Sequence, residues 1–239
     1  SYKIMIDELK QLKPINPNQP TPINVLVPGA GLGRLMYECV VNGYHCEGND
    51  FSWQMLLTSR FMLNAQLKVN HTKIFPWIDS SDNHWSVKDM LKGVHIPDVD
   101  VSAHIKSNGS GSMCMAAGEW TDIYARQDYA NKFDAVLSCY FLDTAPNPLD
   151  YLRIILNTLN PGGVWINLGP LKYHWQTSSG LDQTPEDDDE RYFQSLELSL
   201  DEILAAAERM GFEVVRQPTR KESRYACNPS SMCPTTYSS

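Results

Sequence analysis

The 239-residue sequence is short of positive charge, with 20 Lys and Arg against 28 Asp and Glu, a formal net charge of −8. No stretch gathers its lysines and arginines into a basic stripe, which argues against a nucleic-acid backbone as partner. It also lacks any apolar run near the ~20 residues that span a bilayer, so no membrane partner is expected. No Cys-x-x-Cys pair occurs among its six cysteines (Cys39, Cys46, Cys114, Cys139, Cys227, Cys233). A structural metal site is therefore not expected, and reduced thiols in a cytoplasmic or nuclear protein are. The start, Ser1-Tyr2-Lys3-Ile4-Met5, has neither an initiator methionine nor the character of a signal peptide, and reads as a fragment or an internal start.

One further lack is more specific. A dinucleotide fingerprint, Gly-x-Gly-x-x-Gly, needs a glycine or alanine at position 34 of the run Val25-Leu26-Val27-Pro28-Gly29-Ala30-Gly31-Leu32-Gly33-Arg34, and arginine stands there. The last glycine falls one residue early, giving Gly-x-Gly-x-Gly directly after a β-branched apolar run. That spacing favours S-adenosylmethionine over a nicotinamide dinucleotide. Gly29, Gly31 and Gly33 would let the backbone approach a ligand that any Cβ would obstruct. The N-terminus of the following helix would face the methionine carboxylate of that cofactor.

Strand and helix alternate along the chain. Strands are expected near 23–28, 44–50, 113–118, 133–139, 164–170 and 212–216, and helices near 1–12, 32–42, 52–65, 120–125, 148–159 and 199–210. This alternation predicts a single Rossmann-like α/β domain over 1–239, a mostly parallel doubly wound sheet with inserted loops. Residues 1–22 read as an N-terminal helix and linker, 66–112 as an insertion whose periodicity fades, and 175–198 as a second, acidic insertion containing Glu186 to Glu190.

Several polar residues fall at expected strand ends. Asp50 lies 17 residues after Gly33, where a carboxylate can accept from both ribose hydroxyls; an ordinary solvated aspartate is the alternative. Glu119 and Trp120 follow the third strand and offer adenine an acceptor and an apolar face, although Trp120 could equally belong to the core. Asp143, after Cys139-Tyr140-Phe141-Leu142, either faces a substrate or caps a helix. His174 approaches the same edge after the next strand, and spacing alone leaves a structural role open for it.

Taken together, these residues resemble the carnosine N-methyltransferase family, a branch of the class I S-adenosylmethionine-dependent methyltransferases. The matching stretches include Asn24 to Leu35, Gly48 to Ser52, Phe75 to Ile78, Ile96 to Asp100, Gly118-Glu119, Cys139 to Asn147, Pro161 to Leu171 with Tyr173-His174, and Leu196 to Ser199. The resemblance implies N-methylation of the imidazole of the dipeptide carnosine (β-alanyl-histidine), giving anserine. It implies a cofactor site lined by Gly29, Gly31, Gly33, Asp50, Glu119, Trp120 and Cys139, with Asp143, His174 and Tyr237 holding the dipeptide. Members carry a helical region upstream of the stretch matched here and an apolar strand after the tyrosine segment, so part of a longer enzyme is expected. A homodimer is compatible with this reading. The rival readings are a methyltransferase of a protein histidine or another small molecule, and a non-catalytic cofactor-binding module.

Overall fold

The computed structural model describes residues 2–16, 21–79, 81–108, 111–175, 195–224, 231–232 and 236–238. Five parallel strands form the central sheet: β1 (Asn24–Pro28), β2 (His45–Asp50), β5 (Met113–Ala117), β6 (Phe133–Cys139) and β7 (Leu159–Leu168). Their spatial order is β5-β2-β1-β6-β7, and every pairing within the sheet is parallel. The order in which strands are added reverses at β1, with β2 and β5 lying to one side of it and β6 and β7 to the other. Crevices at such a reversal, outside the carboxyl ends of the strands, are where ligands bind in open α/β sheets.

The sequence of β1 explains its central place. Val25, Leu26 and Val27 are all essentially inaccessible, as a strand covered on both faces requires. Val25 and Val27 join a core with Met5 and Leu9 of α1 (Tyr2–Leu12) and with Leu35, Met36 and Val40 of α2 (Arg34–Val41). Leu26 points the other way, into a core with Trp120 and Tyr124 of α6 (Trp120–Tyr124), Leu152 and Ile155 of α7 (Pro148–Thr158), and Ile203 of α8 (Leu200–Met210). Alternation along one strand thus feeds two cores, with helices on both faces.

Helix α3 (Trp53–Asn64) begins at Ser52, whose hydroxyl accepts from the Met55 N–H. Segment 66–112 is not without structure. It holds an antiparallel ribbon of β3 (Thr72–Ile74) and β4 (Val94–Ile96), and two helices, α4 (Val87–Met90) and α5 (Val101–Asn108). Three-residue strands and a four-residue helix are too short to leave a periodic signal in sequence. The insertion is fixed to α2: the Arg34 guanidinium reaches both carboxylate oxygens of Asp98 at 2.9 and 2.6 Å, and Tyr37 Oη lies 2.5 Å from His104 Nδ1.

One expected strand does not form. Residues 212–216 alternate half-buried Phe212 and Val214 with exposed Glu213 and Val215, but make no ladder. Instead, the Phe212 ring rests 5.7 Å from that of Trp165, and Arg216 pairs with Glu8 of α1 at 2.8 Å. Apolar alternation alone does not make a strand; a free neighbouring edge must also be in register. A separate antiparallel ribbon, β8 (Glu222–Arg224) with β9 (Thr236–Ser238), closes the described chain. Most of the acidic insertion, Glu186 to Glu190 included, and Cys227 and Cys233 lie outside the described residues. The four described cysteines are free, and no helix among the described residues is long and apolar enough to cross a membrane.

Candidate cofactor and acceptor site

The glycine turn leaves β1 with Gly29, Gly31 and Gly33 all at positive φ (60°, 54° and 84°), backbone that side chains with a Cβ rarely adopt. Their surroundings differ. A Cβ on Gly29 would stand 2.7 Å from the Phe141 ring, whereas one on Gly31 would meet no atom of the described residues within 4 Å. Gly29 is therefore needed for packing against the β6 loop, and Gly31 presents the open side of the turn.

Asp50 ends β2 beside this turn and is 9% exposed. Its Oδ2 accepts the Gly31 N–H at 2.9 Å, its Oδ1 accepts the Ser52 N–H at 2.9 Å, and its carbonyl accepts the Gly118 N–H at 3.0 Å. Neighbouring Asn49, which sequence reasoning missed, donates its side-chain amide to the carbonyls of Ala116 at 3.2 Å and Gly118 at 2.9 Å. These two residues stitch the carboxyl ends of β1, β2 and β5 together. A buried asparagine directly before the strand-end acid was the available signal, since a buried amide must find partners.

Glu119 is exposed at the start of α6, near the Gly118 turn. Trp120 does not line an open cleft. It is 3% exposed and sits among Tyr124, Phe141 and Tyr151 at ring separations of 4.7, 5.5 and 6.1 Å. Its indole N–H has no partner among the described residues, an uncommon state for a buried donor. Phe141 separates this ring from Gly29, so Trp120 backs the site through one intervening aromatic. Cys139 ends β6, half-buried, and burial pushes its thiol up to about 11, which keeps it protonated and non-nucleophilic.

Beyond Cys139 the chain turns sharply. Tyr140 has φ +53°, and a Cβ on Gly169 would come within 3.1 Å of the Tyr140 backbone. The turn delivers Asp143 to a short 3-10 segment, Leu142–Thr144, where it is 3% exposed. The segment after β7 comes alongside. Lys172 donates its backbone N–H to Asp143 Oδ2 at 3.0 Å, and His174 donates its own to the Asp143 carbonyl at 3.1 Å. Burial raises the pKa of the Asp143 carboxyl, with the Lys172 N–H and the His174 charge acting against that shift. The His174 residue is exposed. Sequence separation of 31 between Asp143 and His174 thus closes to direct contact.

Tyr237 lies in β9 opposite Ser223, in the ribbon that is separate from the five-stranded sheet. Its side chain falls outside the described part of the structure.

The residues at the turn suit S-adenosylmethionine. Gly31 leaves an open space beside the backbone, and Gly33, the N-cap of α2, provides no side chain to cap the first N–H groups of that helix. Such groups can donate hydrogen bonds to a carboxylate. One carboxylate stands at Asp50 beside the turn, and a second stands at Glu119.

A Rossmann-like sheet, a Gly-x-Gly-x-Gly turn at its reversal point and an acid ending β2 define the class, a nucleotide-type cofactor-binding α/β protein. The family model for carnosine N-methyltransferase matches residues 1–239, and the chain belongs to that family. Among curated relatives, it is 40% identical over 216 residues to a carnosine N-methyltransferase of Schizosaccharomyces pombe, covering 90% of this chain and 57% of that protein. It is 37% identical over 231 residues to the Mus musculus carnosine N-methyltransferase, covering 97% of this chain and 53% of the relative. The chain therefore spans little more than half the length of these relatives. A solved arsenic(III) S-adenosylmethionine methyltransferase from Chlamydomonas reinhardtii is 18% identical with a TM-score of 0.49, covering 84% of this chain and 55% of that one.

Proposed function

We propose that this chain forms the cofactor and acceptor sites of an S-adenosylmethionine-dependent N-methyltransferase that methylates an imidazole nitrogen of carnosine to give anserine. The observation that carries this reading is the buried Asp143 carboxylate, held against the His174 segment on the β6–β7 side of the glycine turn. Family membership supports the same reading.

S-adenosylmethionine, when bound, would supply an electrophilic methyl group, its S–CH3 bond breaking as the N–CH3 bond forms and S-adenosylhomocysteine being the leaving group. Arg34, Leu35 and Met36 at the start of α2 would hold its carboxylate, Asp50 its ribose, and Glu119 its adenine amino group. The acceptor needs little activation, since a free imidazole has a pKa of ~6.5 and is mostly neutral at cellular pH. What it needs is the correct tautomer and alignment. Asp143 accepts a hydrogen bond from the non-reacting ring N–H, leaving the other nitrogen's lone pair for attack. Its negative charge then opposes the positive charge that grows on the ring, and low exposure keeps water from screening it. The N–H proton of the product leaves through this contact. His174 and Tyr237 would orient the rest of the dipeptide.

The four described cysteines, all free, agree with a reducing compartment, cytoplasm or nucleus. Incubating the full-length protein with S-adenosylmethionine and carnosine, with histidine-containing peptides in parallel, tests the reading by mass. A gain of one methyl on carnosine is expected. Transfer to peptides alone would assign a protein-histidine methyltransferase, and cofactor binding without any transfer would assign a binding module.

A further inference from the structure

The segment after β7 runs from Gly169 to Trp175 without regular structure, yet each of its last four residues is tied outside the segment. Lys172 and His174 donate their backbone N–H groups to Asp143, and Trp175 donates its indole N–H to the Thr144 carbonyl at 2.8 Å. These three contacts all reach the loop after β6. Tyr173 goes elsewhere. Its hydroxyl donates to the Leu198 carbonyl at 2.5 Å, directly before Ser199, the N-cap of α8. The Leu198 leg is in turn fixed to the first loop, because the Leu196 N–H donates to the Pro146 carbonyl at 2.9 Å.

Three pieces of chain therefore close a triangle: the Asp143 loop, the 171–175 strap and the 196–198 leg. Burial alternates along the strap, with Lys172 and His174 exposed and Tyr173 only 7% exposed. Tyr173 thus points inward while its neighbours meet the Asp143 side. Burial raises the pKa of the Tyr173 hydroxyl, which keeps it a donor across the range where the enzyme would work.

We propose that Tyr173 is a positioning residue for the methyl acceptor: by closing this triangle through Leu198 it fixes His174 relative to Asp143 without touching the acceptor itself. The inference rests on the acceptor site described above. A strap held at the loop alone could pivot, and a reacting group displaced by about 1 Å can lose on the order of a hundredfold in rate. Capping of α8 already stands on Ser199 and Glu202, so the Tyr173 hydroxyl is not needed to start that helix.

The test compares Tyr173→Phe, Trp175→Phe and Ile203→Val in the full-length protein. Tyr173→Phe keeps the ring and removes one donor; Ile203→Val trims the core that Leu171 and Leu198 pack against and removes none of the hydrogen bonds of the strap. In Tyr173→Phe, kcat is expected to fall about tenfold and the KM for carnosine to rise about fivefold, while S-adenosylmethionine affinity stays within about twofold. Hydrogen exchange at the His174 amide is expected to quicken about tenfold, with β6 amides unchanged. Trp175→Phe should give the same signature from the other corner, and Ile203→Val only a lower melting temperature. The inference is overturned if Tyr173→Phe behaves like Ile203→Val, with unchanged carnosine KM and His174 exchange. Absence of carnosine methylation by the unsubstituted protein would count against the assigned reaction instead, and the exchange measurement would still decide whether Tyr173 holds the strap.

Discussion

Gly31 donates its backbone N–H to Asp50 Oδ2 at 2.9 Å, so the acid that ends β2 also holds the glycine turn in shape. The two residues at the heart of the cofactor reading are thereby one unit. Asp50→Ala removes the brace and the proposed partner of the ribose, and S-adenosylmethionine affinity should fall about 10- to 100-fold, the worth of about one charge-assisted hydrogen bond. Asp50→Asn keeps an acceptor for Gly31 and should lose less. Calorimetric titration of both variants checks the order; equal affinities in wild type and Asp50→Ala would remove Asp50 from the site.

The glycines of the turn should fail in different ways. Gly29→Ala meets the Phe141 ring at 2.7 Å in backbone of φ +60°, and a cost of about 2–4 kcal/mol in stability is expected. Gly31→Ala meets no atom of the described residues within 4 Å, so only its φ of +54° penalises it, by about 1–2 kcal/mol. Its larger effect should be on cofactor binding. Denaturant unfolding alongside titration separates the two.

Asp143→Asn leaves an acceptor oxygen for the Lys172 N–H but no charge to oppose the developing imidazolium. Turnover should drop about 10²- to 10³-fold with S-adenosylmethionine affinity nearly unchanged. Steady-state kinetics and a binding titration test this together, and a parallel loss of cofactor affinity would contradict the role assigned to Asp143.

The same variant has a pH signature. Burial raises the Asp143 pKa above its unfolded value, so the folded state holds that proton more tightly. The associated stability is complete below the unfolded carboxylate pKa of ~3.9 and is lost as pH rises through the raised, folded value. Melting temperatures of Asp143→Asn and wild type should therefore diverge as pH climbs from 4 towards neutrality, the variant gaining. A pH-independent difference would contradict the shift.

Much of the fold was legible in sequence because local and tertiary demands agree. The run Val25-Leu26-Val27 is apolar on both faces, as a central parallel strand needs, and the glycines that follow mark the turn. The misread pieces are those where a partner decides. Residues 212–216 carry strand-like alternation but settle on Trp165 and Glu8. Within 66–112, β3, β4 and α4 are too short to declare themselves. At the site, Asp50 and Asp143 were marked by their strand-end positions. Trp120 was ambiguous because an aromatic suits a cleft and a core equally, and the rings of Tyr124, Phe141 and Tyr151 bury it. Neither Asn49 nor Tyr173 could be assigned from spacing, since each acts through backbone carbonyls brought near only by folding.

The central claim is methyl transfer from S-adenosylmethionine to the imidazole of carnosine at Asp143. Its most direct measurement is the mass of carnosine after incubation of the full-length protein with methyl-deuterated S-adenosylmethionine, run beside Asp143→Asn. The account predicts a gain of one deuterated methyl on the imidazole ring, at least about a hundredfold slower in the variant. Unlabelled carnosine after incubation with a protein that demonstrably binds S-adenosylmethionine, or equal labelling by the variant, would contradict it.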